Sequence, residues 1–481
     1  MTDRDDARYA AFRSKDSRFD GQFFVGVTST GIYCRPVCRA RLPRREHCRF
    51  FATAAEAEQA GFRPCLQCRP EQAPGTAPVD AAGALARRAA VLLEERCGEG
   101  ERMDELAARL GCTDRHLRRT FAEAYHVSPL QYLQTCRLLL AKSLLTDTGL
   151  SVLEVAMAAG FGSLRRFNEV FRRQYRLAPT ALRKQAGADR DRGGVIAVCL
   201  GYRPPYQWAR MLEFLALRAI PGVEAADGDG YRRAVRLGGA AGWLRVQCLP
   251  VRNALRVTVS PSLLPVLPQA LARVRHLFDL CCDPAAVAEG LRSMDELRPG
   301  LCVPGARLPG CFEPFEMAVR AVLGQQITVK AARTLAGRMA QALGTPVDAG
   351  VEGLTHVFPT AEEILALEGP IEGHLGPLGV IGARARTIRA LAEVFADDAA
   401  WLGFGADPKS AVRRLRALPG IGDWTAQYIA MRALGWTDAF PDTDYGVKKA
   451  LEPRTQKEIR ALAEQWRPWR AYATINLWNS L

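Results

Sequence analysis

Two pairs of cysteines have the spacing in this 481-residue chain that most clearly predicts chemistry. Cys34 and Cys38 form the first pair, Cys65 and Cys68 the second, and 26 residues separate the pairs. Thiolates from two chain positions can enclose one Zn²⁺ ion tetrahedrally, with Zn–S distances of about 2.3 Å. Four thiolates leave the site negatively charged, so each sulfur stays nucleophilic. The pattern predicts one Cys₄ zinc site, either structural or reactive, and Cys48 lies outside it.

A second candidate group follows a glycine-rich turn near residue 420. Gly420 and Gly422 belong to the stretch LPGIG, where the backbone can adopt positive φ and approach a ligand closely. Free N–H groups at the start of the next helix would complete an anion site suited to a DNA phosphate. Asp444 stands 20 positions after Trp424 at another predicted helix start, as a functional carboxylate or as an N-cap. Asp442 is the alternative for the functional role.

Two helix-turn-helix patterns lie between these groups. Met103–Leu110 precedes a helix at Asp114–Tyr125, and Val152–Ala159 precedes one at Ser163–Tyr175. The second helix of each pattern carries arginines that we predict to contact DNA: Arg115, Arg118, Arg119, Arg165 and Arg166. Two such helices in one chain could read successive segments of a major groove. The alternative is a structural helical bundle with a solvated arginine face.

From about Tyr206 onwards the sequence resembles the AlkA-type 3-methyladenine DNA glycosylases of the helix-hairpin-helix superfamily. Besides LPGIG, the matching stretches are PYQW at 205–208, LFDL at 277–280, AVLGQ at 321–325 and WRPWR at 466–470. The resemblance implies that Asp444 stabilises a developing oxocarbenium sugar. The residues that it places at the flipped base are Phe214, Trp424, Tyr428, Tyr445 and Trp478, with Gln326 at the position of a DNA wedge.

Trp424 occupies the position at which bifunctional members of this superfamily carry a Schiff-base lysine. The resemblance therefore implies hydrolysis of the glycosidic bond without strand cleavage. Aromatic walls favour a cationic methylated purine over normal purines. A cationic base is also a good leaving group, so we expect little need for a general acid. The wedge position holds Leu in the family and Gln326 here, so that a polar side chain would fill the gap left by the flipped base.

The N-terminal part resembles the zinc domain of Ada proteins, in TGIYCRP at 30–36 and GFRPC at 61–65. In that family the cysteine matching Cys34 accepts a methyl group irreversibly from a DNA methylphosphotriester. Methylation would turn a thiolate into a thioether, and the lost negative charge would raise DNA affinity. The following segment resembles AraC-type regulators, including Gly160-Phe161 and Leu177-Ala178-Pro179. Downstream, no Pro-Cys-His-Arg motif for base O-methyl repair occurs.

The formal net charge of +14 favours a polyanionic partner. We expect double-stranded DNA with alkylated bases or methylphosphotriesters and promoter DNA, with RNA polymerase as a further partner. The N-terminal residues are charged and no apolar run reaches about 18 residues, so neither a signal peptide nor a membrane span is predicted. A cytoplasmic protein follows.

The sequence predicts a multidomain, mainly α fold. The predicted domains are an α+β zinc domain at 1–72, an α-helical double helix-turn-helix domain at 80–185, an α+β lobe at 194–300 and an α-helical helix-hairpin-helix domain at 301–481. Linkers are predicted at 71–80 and 186–193, and strands at Val195–Leu200, Trp243–Leu249 and Ala254–Val259. The predicted function combines base excision, methyl transfer to Cys34 and transcription activation. The alternative is a methylation-responsive regulator whose C-terminal half only binds DNA.

Overall fold

The computed structural model describes residues 3–15, 19–20, 23–51, 54–68, 70, 78–98, 102–185, 195–403 and 405–481. The chain forms two compact units, the first of Met1–Ala90 with Met103–Pro129 and the second of Val91–Arg102 with Leu130–Leu481. The predicted linker at 186–193 lies outside the described residues, as do residues 71–77 of the other linker. Among the helices of the described ranges, none is long and apolar enough to cross a membrane.

The first unit contains a small sheet in the order β3-β1-β2-β4, in which only the β2–β4 pair is parallel. Its elements are α1 (Asp3–Ser14), β1 (Phe24–Val27), β2 (Ile32–Cys34), β3 (Cys48–Phe51), α2 (Ala54–Gln59), β4 (Arg63–Pro64), α3 (Pro78–Glu95), α4 (Met103–Arg109) and α5 (Asp114–Tyr125). The end of α3 belongs to the second unit. Thr113 caps α5 by accepting from the His116 N–H, and Leu117 and Phe121 are fully buried on its inner face.

The second unit begins with the other helix-turn-helix, in α6 (Pro129–Asp147), α7 (Val152–Ala158), α8 (Leu164–Tyr175) and α9 (Pro179–Gln185). Ser151 and Glu154 form a capping box at α7, and Ser163 caps α8. Phe167 and Phe171 of α8 are fully buried. The predicted helices of both helix-turn-helix patterns are therefore present, within one residue of the expected ends.

A five-stranded antiparallel sheet in the order β5-β9-β8-β7-β6 follows. Its strands are β5 (Ile196–Gly201), β6 (Glu224–Asp227), β7 (Gly230–Leu237), β8 (Ala240–Leu249) and β9 (Ala254–Val259), and its helices are α10 (Trp208–Arg218), α11 (Leu267–Leu277), α12 (Pro284–Gly290) and α13 (Ser293–Leu297). We had not predicted β6 or β7. The inner residues of β8 and β9 share one apolar core with α8 and α11.

The remaining helices up to Leu434 surround a second apolar core and carry the hairpin, whereas those from Tyr445 to Trp478 contribute to the first core. They are α14 (Pro314–Leu323), α15 (Val329–Leu343), α16 (Ala361–Leu365), α17 (Ile371–Leu375), α18 (Gly382–Asp397), α19 (Pro408–Arg416), α20 (Asp423–Leu434), α21 (Tyr445–Ala450), α22 (Gln456–Ala463) and α23 (Arg470–Trp478). Helix α14 packs against both α18 and α20, and α19 packs against α20. The predicted class, mainly helical with α+β parts, is confirmed.

Candidate functional site

The two cysteine pairs meet because β2 and β4 run parallel, with Tyr33 beside Pro64. The Cys65 N–H donates to the Tyr33 carbonyl at 3.0 Å, which places the second pair next to the end of β2. The sulfur atoms of Cys34, Cys38, Cys65 and Cys68 all lie within 4.8 Å of one another, and all four residues are buried. Tetrahedral Zn²⁺ ligation requires S···S separations of about 3.8 Å, so the cluster fits one such ion.

The surroundings of the cluster favour a bound cation. Hydrogen bonding to Cys38, together with burial, raises the pKa of the Cys34 thiol far above its usual value. Four buried thiolates therefore require a positive charge among them. The Arg35 N–H donates to Cys68 Sγ at 3.3 Å, and the buried Arg35 side chain pairs with Asp20. Cys48 stands apart from the cluster and donates to the Arg44 carbonyl. Burial raises its thiol pKa to about 11, so it remains protonated.

The hairpin between α19 and α20 is a turn that requires glycine at position 420. Gly420 has φ +81°, and a Cβ atom there would lie 2.2 Å from Thr387 Oγ1. The Thr387 hydroxyl donates to the Pro419 carbonyl at 2.9 Å, and Gln325 Nε2 donates to the Gly420 carbonyl at 2.8 Å. Gly422 is the N-cap of α20 and offers no side chain to its first N–H groups. These N–H groups are thus available to an anion.

Asp444 is held at the N-terminus of α21 by three hydrogen bonds. Its Oδ1 accepts from the Val447 N–H at 3.1 Å and from Trp478 Nε1 at 2.8 Å, and its Oδ2 accepts from Trp424 Nε1 at 2.9 Å. Asp444 is therefore an N-cap and, in addition, the acceptor for two indole N–H groups. A carboxylate offers about four acceptor positions, so one position on Oδ2 is left for a further ligand.

Four of the predicted aromatic residues form one cluster beside this carboxylate. Trp424 and Tyr428 stack in parallel with ring centroids 5.3 Å apart, and Tyr428 lies 6.2 Å from Trp478. Phe214 faces Trp478 with an interplanar angle of 16° and a centroid distance of 6.4 Å. Two stacking contacts of about 3.5 Å each require about 7 Å, slightly more than this centroid distance. The Phe214–Trp478 pair thus has close to the spacing of a slot for one flat ring.

Three further predicted residues are placed differently. Tyr445 is 77% exposed, and the Lys449 amino nitrogen lies 5.9 Å from its ring centroid. Gln326 is exposed in the turn between α14 and α15 and has φ +54°. Asp442 is buried in an ion pair with Arg460 and accepts from Gln456 at 3.0 Å. Asp444 contacts the aromatic cluster and Asp442 does not.

Two arginines at the aromatic cluster were missed by the sequence analysis. Arg432 Nη1 donates to the Tyr428 hydroxyl at 2.9 Å, and the Arg218 guanidinium lies 3.8 Å from the Phe214 ring centroid. Each follows its aromatic residue by four positions on one helix, α20 or α10. The i, i+4 spacing on one helical face was the signal that could have identified them.

The predicted DNA-reading arginines are exposed in both helix-turn-helix patterns. On α5, Arg118 pairs with Asp114 at 2.9 Å and Arg119 with Glu123 at 3.9 Å. On α8, Arg166 pairs with Glu169 at 3.4 Å. No ion pair of Arg115 or Arg165 is found within the described ranges. All five side chains are accessible to a polyanion.

Models of three protein families match successive parts of the chain. The metal binding domain of Ada matches residues 7–71, a helix-turn-helix domain matches 106–185, and the AlkA N-terminal domain matches 197–313. The first match covers the whole cysteine cluster. Cys34, Cys38, Cys65 and Cys68 are accordingly the ligands of one Zn²⁺ ion.

Three relatives show how these parts are combined. A probable bifunctional transcriptional activator/DNA repair enzyme AlkA of Mycobacterium tuberculosis is 39% identical over 98% of this chain and 96% of its own length. DNA-3-methyladenine glycosylase 2 of Escherichia coli is 36% identical over 58% of this chain and 95% of its own. The bifunctional transcriptional activator/DNA repair enzyme Ada of Escherichia coli is 51% identical over 14% of this chain and 20% of its own. The chain belongs to the family of bifunctional transcriptional activator/DNA repair AlkA proteins.

Proposed function

We propose that this protein excises 3-methyladenine and related alkylated bases from double-stranded DNA by hydrolysis. Asp444 carries the proposal, because two indole N–H groups and a backbone N–H fix its carboxylate beside an aromatic slot. The flipped base stacks between Phe214 and Trp478, with Trp424 and Tyr428 as neighbouring walls. Flipping costs a few kcal/mol, which stacking and lesion-weakened pairing offset.

Bond breaking places positive charge on the sugar, and Asp444 stabilises it electrostatically. The C1′–N bond breaks with its electron pair leaving on the base. Water forms the new C1′–O bond, and its proton passes to the remaining acceptor position on Asp444 Oδ2. The chain has Trp424 rather than an amine next to this carboxylate, so no covalent link to the sugar forms and the strand stays intact.

The hairpin glycines and Gln326 belong to the same proposal. Gly420 and Gly422 let the α20 N-terminus approach a phosphate of the damaged strand, which fixes register rather than sequence. Gln326 fills the gap left by the flipped nucleotide. Its exposed, left-handed position in a turn tied to the hairpin through Gln325 supports this role. Tyr445 contacts the DNA next to the slot and not the base within it.

The zinc domain supplies the sensing step. Bound zinc keeps the four sulfurs deprotonated and leaves Cys34 nucleophilic. Cys34 Sγ attacks the methyl carbon of a methylphosphotriester, so that an S–C bond forms, the C–O bond breaks and a phosphodiester anion leaves. The lost negative charge raises affinity for promoter DNA, which the arginines of α5 and α8 contact. This proposal also includes activation through RNA polymerase, a cytoplasmic location and the domain boundaries given above.

The decisive experiment compares wild-type protein with Asp444→Asn on duplex DNA that contains methylated purines. Wild type should release free 3-methyladenine and leave intact strands with abasic sites. Asp444→Asn should retain DNA affinity and lose at least about 100-fold in single-turnover excision, since a preorganised electrostatic group is removed. Asp442→Asn serves as a neighbouring carboxylate control. Equal release by wild type and Asp444→Asn would show that Asp444 is not the catalytic carboxylate, whereas no release by either would leave the regulator whose C-terminal half only binds DNA.

A further inference from the structure

The aromatic slot carries an excess of positive charge on its Phe214 side. The Arg218 and Arg432 guanidinium carbons lie 3.8 Å and 4.8 Å from the Phe214 ring centroid. Neither arginine has a carboxylate within ion-pair distance among the described residues. The nearby carboxylates, Glu224 and Glu316, pair instead with Arg320 and Arg233. Two guanidinium charges therefore remain without a paired carboxylate on the Phe214 side of the predicted base site, whereas the Asp444 carboxylate is bound to Trp478.

Tyr428 responds to this charge. Burial alone raises the pKa of its hydroxyl, yet Arg432, Arg218 and Arg320 together bring that pKa below its usual value. The same field acts on any base that stacks beside Tyr428. This positive charge reduces the attraction of the aromatic walls for a cationic base and attracts the electron-rich edge of a neutral base. Phe214 also has two guanidinium groups against its ring, so little of its cation–π attraction remains for a charged base.

Arg218 is the arginine that a base can reach. Arg432 is 3% exposed. Its N–H groups donate hydrogen bonds to the Pro309 and Gly310 carbonyls and to the Tyr428 hydroxyl. Arg218 stays partly exposed at the end of α10 and has a 3.3 Å hydrogen bond to the Phe214 carbonyl. A guanidinium has five N–H donors, so several on Arg218 are left for a ligand.

We propose that Arg218 sets the preference of the slot between neutral and cationic lesion bases. Its guanidinium donates to a carbonyl oxygen or ring nitrogen on the edge of a neutral purine, of which hypoxanthine is the simplest probe. The same charge lowers the affinity for cationic 3-methyladenine. This inference rests on the proposed glycosylase function and assigns a specificity residue within it.

The test measures single-turnover excision of hypoxanthine, 3-methyladenine and 7-methylguanine from otherwise identical duplexes. The last base is cationic and also has a carbonyl oxygen, so it separates charge from hydrogen bonding. Arg218→Gln removes both the charge and the planar set of guanidinium N–H donors, and Arg218→Lys keeps only the charge. Arg333→Gln is the control, because Arg333 donates to the adjacent Ala219 carbonyl at 2.7 Å and is exposed. Thermal unfolding checks that each variant is folded.

For Arg218→Gln we expect hypoxanthine excision to fall about tenfold or more, while 3-methyladenine excision is unchanged or rises. Arg218→Lys should lose hypoxanthine excision and leave 3-methyladenine excision as in wild type. Arg333→Gln should leave the ratio between the substrates unchanged. An equal loss for all three bases would overturn the proposal and leave Arg218 a structural residue, as would unchanged hypoxanthine excision. Absence of release by wild type would instead contradict the glycosylase function itself.

Discussion

Trp424 donates its indole N–H to Asp444 Oδ2 at 2.9 Å, across 20 positions of sequence. The contact ties the wall of the aromatic slot to the carboxylate that we propose acts on the sugar. Trp424 lies in the first turn of α20, directly after the hairpin, so DNA contact and carboxylate orientation share one helix end. The hairpin and the carboxylate are thereby connected through one side chain.

Replacing Trp424 by Phe keeps an aromatic wall and removes this hydrogen bond. We expect single-turnover excision to fall about 10- to 100-fold, because a hydrogen bond to a charged group contributes about 1.5–3 kcal/mol and the carboxylate loses its orientation. DNA affinity should change little. Trp436→Phe, which alters an indole outside the slot, is the matched control. Equal excision by both variants would mean that the Trp424 indole N–H has no part in the reaction.

Gly420 and Gly422 should respond differently to alanine. Gly420→Ala forces a Cβ atom to within 2.2 Å of Thr387 Oγ1 at positive φ, so we expect a marked loss of thermal stability. At Gly422, φ is −84° and an added Cβ meets nothing within 4 Å. Gly422→Ala should fold normally and bind DNA more weakly, because the new methyl group stands between α20 and a phosphate. Melting curves and DNA titrations of the two variants check this; normal DNA binding by Gly422→Ala would exclude close phosphate approach.

Zinc content should distinguish the cluster from its neighbour Cys48. We expect one Zn²⁺ per chain in wild type and in Cys48→Ser, since Cys48 lies outside the cluster and its thiol stays protonated. Cys38→Ser should lose zinc to a chelator much faster, because one of four ligands is gone. Metal analysis before and after chelator treatment gives both results. Loss of zinc from Cys48→Ser would show that the ligand set is wrong.

Much of the fold could be predicted because its signals are local. The cysteine spacing, the hairpin glycines and the N-capped helices of both helix-turn-helix patterns can be identified over fewer than about 40 residues each. Strand β7 was missed because the charges of Arg232, Arg233 and Arg236 obscure its alternation, and β6 was missed because it has only four residues. Arg233 is buried in an ion pair with Glu316, 83 positions away. Such long-range pairs leave no short-range pattern.

The division into compact units was also not visible in sequence. Homology groups both helix-turn-helix patterns into one domain, yet the second pattern shares a compact unit and an apolar core with the glycosylase part. Gly160 is in contact with Cys97 and Gly98, and Gly98 in turn approaches Pro268 of α11. The linker predicted at 186–193 suggested that the parts on either side of it are independent. The composition of a linker indicates a connection, but it does not indicate which contacts the flanking parts make.

Gly160→Ala should therefore destabilise the glycosylase part although it lies in a helix-turn-helix. Its Cβ atom would lie 2.3 Å from the Cys97 carbonyl oxygen at φ +78°. Gly111→Ala is the matched control, since Gly111 has φ +70° and no atom within 4 Å of an added Cβ. We expect base-release activity to be lost at a lower temperature in Gly160→Ala than in Gly111→Ala. The same inactivation temperature for both would mean that residues 195–481 are stable without the helix-turn-helix contact.

Asp279 should make stability depend on pH in an unusual direction. Burial raises its pKa to about 6, while its side chain accepts from Tyr472 at 2.9 Å and from the Leu308 N–H at 3.0 Å. The unfolded pKa of about 3.8 is lower, so the folded state takes up the proton first as pH falls from 7 to 4. The contribution of this group to the free energy of unfolding then rises, by up to about 3 kcal/mol.

Asp279→Asn removes this proton uptake and keeps an acceptor oxygen. Asparagine also tolerates the φ of +51° found at this position. We expect the variant to be at its most stable relative to wild type near pH 7.5 and to lose that advantage by pH 4. Denaturant unfolding at a series of pH values measures the difference, with exposed Asp283→Asn as the control. If the difference in the free energy of unfolding between wild type and Asp279→Asn were constant across this pH range, Asp279 would titrate alike in the folded and unfolded states. Its burial would then not disfavour the charged carboxylate.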